Sequence, residues 1–406
     1  MYLNKKNFSF FLLWLVLTSS APFIFYLWPF HPHKILIFTG LVIFILMITK
    51  IPKLSKFDVG LLGVIFIQIL YLTFCLVYRN DSSYINIVIQ LVSLVITIQF
   101  ILDHIGFSAF VKSYINIILI MGIGGVITFF VHYFVGIHPI FSVYYTDLKA
   151  THFLGLTSTN VFIDGDFRFM RFAGFFDEPG RYALFSILAI ILNKVYFNNR
   201  RVELLLILVT IFSFSFAGYV NLIVYYLFFM LKKSNLKYFI VSLLIVFAAV
   251  FYLNTSNNPS LKLVKKYTIE RFALDDSGQL SNNNRTEHEE YNKIIFQKYP
   301  LLGSTKKENK VRGSNLYAII AEHGVIGSFF YYLFLVYMII ISLKLDRRIR
   351  FILIKIIMLI LLNVYHRPEL GGLLMNLIFV SIILHYKYYL KQINNSLLDK
   401  KRLQLN

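Results

Sequence analysis

The chain has a single cysteine, Cys75, so no disulfide can form within it. Any ordered loop facing an oxidising compartment must be held by packing alone. Charge is also scarce: Asp, Glu, Lys and Arg make up 15% of 406 residues, against 58% hydrophobic residues. With a mean hydropathy of +0.68, that balance excludes an ordinary soluble domain. Acidic residues are the scarcer charged class, 20 against 40 basic ones, giving a net charge of +20. The placement of those basic residues, described next, follows membrane topology and does not point to nucleic acid as a partner.

What is abundant is apolar sequence in runs long enough to cross roughly 30 Å of hydrocarbon as helices. Such cores lie near 9–29, 35–49, 59–78, 85–102, 114–136, 181–197, 202–216, 217–231, 238–253, 316–343, 351–365 and 370–390. The expected fold is therefore an all-α polytopic membrane protein of about 12 spans. The pair at 202–231 is the least regular, with a join at Ala217-Gly218 that reads as a tight turn or as a break in one long helix. Lys5-Lys6 and the apolar stretch after them read as the first span, because that stretch runs past 20 residues without a convincing small-x-small cleavage site.

Charge placement tests the count, since short cytoplasmic loops collect Lys and Arg. An inside N-terminus places Lys5 and Lys6, Lys50 to Lys56, Lys112, Lys194 to Arg201, Lys232 to Lys237, Lys344 to Arg350, and Lys387 to Arg402 on one side. The short connections on the other side hold only Lys34, Arg79 and Arg367. Merging 202–231 would invert everything after it. The expected organisation is a five-span bundle (1–136), a large outer loop (137–180), four spans (181–253), a second large outer loop (254–315), three spans (316–390) and a cytoplasmic tail (391–406).

Loops on a rigid scaffold carry function, and the two large ones hold the chain's chemically useful polar groups. The second is mildly cationic, with eleven Lys or Arg against seven acids, which suits a phosphate-bearing partner. Neither loop contains a basic-aromatic pattern for single-stranded nucleic acid, so no nucleic-acid partner is expected, and no metal or cofactor is expected because arginines can take the place of a cation at a leaving group. Within the second loop, Thr286 to Glu289 has capping-box spacing and predicts a helix start. Tyr291, Ile294 and Ile295 form a short apolar stripe on that helix, and Tyr299-Pro300 ends it. A weaker surface helix is predicted over 262–274.

Several of these residues carry a family resemblance. Arg171-x-x-Gly-Phe-x-x-Glu-Pro-Gly opens a span. A long outer loop follows with Arg285, Tyr299-Pro300-Leu301-Leu302-Gly303 and Ser314-Asn315-Leu316-Tyr317, running into Ala321-Glu322-His323-Gly324-Val325-Ile326-Gly327. In order, side and spacing this resembles the O-antigen polymerase and ligase superfamily over roughly residues 168–330. The resemblance implies a glycosyltransferase C-like membrane enzyme of the bacterial inner membrane, with both termini cytoplasmic and the active site periplasmic. Its partner would be an undecaprenyl-diphosphate-linked oligosaccharide, and such enzymes work beside a flippase and a chain-length regulator. A polymerase moves the growing glycan onto the next lipid-linked repeat unit; a ligase moves the finished glycan onto lipid A-core.

That chemistry needs fixed positive charge for the departing diphosphate, which guanidinium supplies through paired N–H donors. Arg171, Arg285 and Arg181 are the candidates. The attacking hydroxyl needs a base in hydrogen-bond reach: Glu178 first, with His288, Glu322 and His323 behind it. Asn315, His366 and Arg367 complete the expected glycan- or lipid-binding set. Structural readings stand beside these. Asp177-Glu178-Pro179 is also a helix N-terminus, and Arg181 also suits an interfacial anchor. Gly303 suits a turn, while Gly324 and Gly327 suit close helix packing.

Departures from the ligase pattern favour a polymerase. Ligases carry a His before the Asn where this chain has Ser314-Asn315, and an Arg after the Ser where it has Ser215-Phe216. A lipid-linked oligosaccharide flippase is the reading from a different class. It would show internal repeats and interrupted helices near midplane, and the sequence contains no such repeat.

Overall fold

The computed structural model describes residues 5–20, 58–80, 83–135, 140–146, 149–153, 158–164, 167–174, 176, 178–230, 285–304, 316–366 and 380–387, with a few isolated positions besides. These residues are mostly helical, and the chain divides into two compact units. Four helical stretches are long and apolar enough to cross a membrane: Val59–Arg79, Ile87–Ile105, Phe107–Val131 and Pro179–Phe197. A bent pair, Tyr317–Phe330 and Tyr332–Leu343, makes a fifth if it is one span. The chain is thus a membrane protein by composition and by helix length. Most of the expected spans at 35–49 and 238–253, and the part of the expected span at 370–390 outside 380–387, lie outside the described residues.

One unit comprises Met1–Ser20, Trp28–Ser113 and Glu287–Asn406. It holds α1 (Lys5–Ser20), α2 (Val59–Arg79), α3 (Ser83–Phe100) and the start of α4 (Phe107–Val135). It also holds most of α8 (Arg285–Lys298), α9 (Leu316–Leu343) and α10 (Arg347–His366). Helix α2 shows how the sequence sorts its faces. Leu61, Val64, Ile65, Leu72 and Cys75 are buried, whereas Phe66, Ile67, Leu70, Phe74, Val77 and Tyr78 are exposed. Both stripes follow helical spacing, and an apolar outer stripe is stable only against lipid.

Asp58 starts α2. Its carboxylate accepts from the Leu61 N–H at 3.1 Å, from the Tyr337 hydroxyl and from the Lys387 ammonium. Burial alone would raise this carboxyl, but the Lys387, Tyr337 and Leu61 hydrogen bonds outweigh it and hold it down at about 2. A carboxyl depressed below its unfolded value of about 3.9 stabilises the fold above that value and loses the contribution as pH falls toward the folded one. Asp58→Asn keeps an acceptor for the Leu61 N–H and is expected to lower stability at pH 7 by up to about 1 kcal/mol, for the lost charge of a partly solvated ion pair. It should also flatten the stability loss between about pH 4 and pH 2. Melting scans of the purified protein at stepped pH check both.

The second unit comprises Ala21–Leu27 and Tyr114–Thr286. Its centre is α5 (Pro179–Leu192), buried from Tyr182 to Leu192 except at Leu184. Helices α6 (Arg200–Phe212) and α7 (Phe216–Tyr225) pack on it. Gly218 lets α7 approach α5, since a Cβ there would press on Ala183. Ser186 and Thr210 share a hydrogen bond of 2.6 Å between α5 and α6. The buried Glu203 carboxylate receives the Lys194 ammonium at 3.1 Å and the Tyr225 hydroxyl at 2.7 Å. The expected break in 202–231 is present, but it falls at Ser213-Phe214-Ser215 and not at Ala217-Gly218. There Phe214 takes φ +49° and Ser215 caps α7 through the Gly218 N–H.

Residues 141–174 form a structure that the sequence reading treated only as loop. It is a four-stranded antiparallel meander of β1 (Phe141–Thr146), β2 (Lys149–Phe153), β3 (Ser158–Asp164) and β4 (Phe167–Gly174). Arg171 stands opposite Asn160 in the β3–β4 ladder. Strand β4 packs against α5, so the meander delivers Arg171 to the start of that helix.

Candidate functional site

The β4–α5 connection assembles one group of the expected residues. Strand β4 ends at Gly174, whose φ of +63° suits glycine. A Cβ there would meet the Tyr182 ring and the Met121 side chain. Four residues later Glu178 is extended (φ −144°, ψ 145°), and Pro179 begins α5. Helix starts commonly use an acid to cap their free N–H groups. Glu178 makes no such side-chain bond, so its half-buried carboxylate does not serve as the cap. Arg181 sits in the first turn and is also half-buried.

Arg171, in the same connection, is only 7% exposed. Its Nη1 donates to the Phe214 carbonyl at 3.4 Å, in the α6–α7 turn. The guanidinium beside that turn therefore comes from β4.

A second group forms in the unit that contains α9. Its helix is interrupted at Gly324, which takes φ +64° and ψ −171°. A break leaves backbone groups on both sides without helical partners, and here several are met from outside. The loop after α8 lies alongside: Val325 N–H donates to the Pro300 carbonyl (2.9 Å), Ile326 N–H to Leu301 (3.1 Å), and Ser304 N–H to Ala321 (2.8 Å). From α2, the Tyr71 hydroxyl donates to the His323 carbonyl at 3.2 Å. Arg79 Nη1 donates to the Glu322 carbonyl at 3.0 Å and the Ser304 carbonyl at 3.3 Å, while Nη2 reaches the Leu302 carbonyl. The same guanidinium donates to the Tyr84 hydroxyl at 2.6 Å.

Glycine is required at both crossing points. A Cβ on Gly303 (φ +77°) would strike the Glu322 carbonyl, and one on Gly324 would strike the Leu301 carbonyl. Gly303 thus serves a turn as expected. Gly324 instead permits a break crossed by another backbone, whereas Gly327 does allow close packing, against Tyr71. Glu322 and His323 lie half-buried at the break, with the His323 and Tyr84 rings 6.4 Å apart. Burial pushes the Tyr84 phenol up to about 12, against the pull of the Arg79 guanidinium.

The remaining expected residues distribute as follows. Arg285 is the first residue of α8, and His288 lies half-buried in its first turn. The helix predicted from the capping spacing is therefore present, and Ile295 of its apolar stripe is buried while Ile294 is 63% exposed. The side chains of Arg285 and His366 lie outside the described residues, as do Asn315, Arg367 and most of the helix expected over 262–274. Among the described residues no group of three or more His, Cys, Asp or Glu is placed to hold a metal ion.

Arg79 and Tyr84 were not among the expected site residues. A signal existed: Arg79 is one of three basic residues in the short connections that the charge pattern otherwise keeps clear. It was read as topology and not as chemistry.

Comparison with family models, with curated proteins and with solved structures finds no significant match to this chain.

Proposed function

We propose that the protein is a glycosyltransferase of the inner membrane, an O-antigen-type polymerase. It would move a growing glycan from undecaprenyl diphosphate to a hydroxyl of an incoming lipid-linked repeat unit. The acceptor oxygen forms the new bond to the anomeric carbon while the bond to the diphosphate oxygen breaks. Glu178 takes the hydroxyl proton, and Arg171, with Arg285 and Arg181, stabilises the departing diphosphate. Both termini are cytoplasmic in this reading, twelve spans cross the membrane, and the chemistry is periplasmic.

The observation that carries the reading is the β4–α5 connection. A buried arginine and a carboxylate that does not cap its own helix follow one another in the order the superfamily resemblance anticipates. A charged side chain buried away from water is costly to hold and marks a functional candidate.

One feature favours a lipid-linked oligosaccharide flippase instead, namely the interruption of α9 at Gly324. Transporters place such breaks near midplane. Gly324 lies eight residues into a helix of 28, about 12 Å from its start at 1.5 Å per residue. That position suits a site near one membrane face better than a midplane one.

The test is glycan length on gels from cells lacking the gene, complemented with wild type, Glu178→Gln or Arg285→Ala at matched membrane levels. Surface lipid bearing a single repeat unit in the deletion is the expected result. Absence of attached glycan, with long polymer still on undecaprenyl diphosphate, would indicate a ligase. Repeat units retained in the cytoplasm would indicate a transporter. Full-length polymer from either variant would remove that residue's assigned role.

A further inference from the structure

A buried arginine usually faces a carboxylate, because an uncompensated charge away from water is costly. Arg79 is 9% exposed, yet its hydrogen-bond partners are four neutral oxygens: the Tyr84 hydroxyl and the carbonyls of Leu302, Ser304 and Glu322. Those three carbonyls belong to two strands of backbone that cross at Gly303 and Gly324. A planar guanidinium presents several donors in a fixed fork and can bridge such a crossing, whereas a compact ammonium cannot.

We propose that Arg79 is a positioning residue: by gathering the Leu302, Ser304 and Glu322 carbonyls it holds the break in α9 and fixes the Glu322 and His323 side chains where that break presents them. The clasp itself stands on the geometry alone. Only the use made of Glu322 and His323 rests on the transferase reading. The backbone of both residues is pinned from one helix, Glu322 by Arg79 and His323 by Tyr71. Without the clasp, the 300–304 loop and the α9 break lose the guanidinium that ties their carbonyls together, and Ser304, 2% exposed, becomes open to water.

The test uses the full chain in membranes, with Cys75, the one native cysteine, replaced by Ser. Ser304→Cys reports the docked loop, because Ser304 meets Arg79 and Ala321 through its backbone. Leu301→Cys, at a position 64% exposed, is the control. A polar maleimide is expected to label Cys at 304 slowly beside Arg79 and at least about tenfold faster in Arg79→Met and Arg79→Lys, as local opening becomes cheap. Labelling at 301 stays constant. With a lipid-linked repeat unit as substrate, Arg79→Lys is expected to lower kcat at least about tenfold while KM moves less than about twofold, the signature of misplaced groups and not of lost binding.

Protection at 304 that survives both substitutions overturns the clasp. Where Arg79→Met fails to accumulate, Arg79→Lys decides. Faster labelling with unchanged turnover overturns the positioning role. If the wild-type chain itself transfers no glycan, the transferase reading fails while the labelling result still decides the clasp.

Discussion

Gly324→Ala is expected to destabilise the protein by about 3–5 kcal/mol, enough to remove most of it from the membrane. Two effects add. A backbone near φ +64° and ψ −171° is a region essentially reserved for glycine, costing a side chain about 1–3 kcal/mol. The new Cβ would also meet the Leu301 carbonyl, and forcing backbones apart in a packed site costs about 1–3 kcal/mol more. Gly303→Ala should behave alike for the reciprocal reason, since its Cβ would meet the Glu322 carbonyl. Gly327→Ala meets the Tyr71 hydroxyl and the His323 Cβ instead, side-chain atoms at an ordinary helical backbone, so about 1–3 kcal/mol is expected. Gly63→Ala, inside α2 with open space beside it, should be neutral or stabilising by up to about 1 kcal/mol. Melting temperatures of the four purified variants give this ranking directly. Equal melting for Gly324→Ala and Gly63→Ala would contradict the crossing.

The second large effect is on chemistry. Arg171→Lys is expected to reduce polymer formation about 10²-fold or more, the scale of losing one fixed donor to a developing anion. Lysine keeps the charge but loses the fork that matches two phosphate oxygens. Arg171 also holds the Phe214 carbonyl, so a purely structural role must be separated from a catalytic one. Vesicles with lipid-linked repeat units, corrected for folded protein, separate them. Loss of turnover at normal melting temperature supports phosphate contact. Loss of both together would make Arg171 a clamp for the α6–α7 turn.

How much of this was legible in the sequence depended on the range of each interaction. Helix α8 was readable because Thr286 to Glu289 and Tyr299-Pro300 act within a turn of themselves. The break between α6 and α7 was readable as a break, though Phe214 in the left-handed region, and not Gly218, marks its centre. The meander was missed because its aromatic and β-branched runs, such as Phe141–Thr146 and Phe167–Gly174, are far shorter than a membrane span and fall in a segment read only as outer loop. Glu178 reads alike as cap or base in sequence, because only its conformation decides whether the side chain caps α5, and it does not. Arg79 was not legible as chemistry because its three carbonyl partners lie 223 to 243 residues away, and spacing patterns do not reach that far.

That distance has a consequence for biosynthesis. The unit holding Arg79 is built from three separate stretches of chain, and chains emerge from the ribosome N-terminus first. When α2 and α3 enter the bilayer, Arg79 has only Tyr84 within local reach, and Asp58 must await Lys387 across 329 residues. Both ends of α2 thus carry a charge whose later partners have not yet been synthesised. A chain stalled or truncated before α9 therefore exposes an unmet arginine at the end of a greasy helix, a mark that membrane proteases and insertion chaperones can read as unfinished.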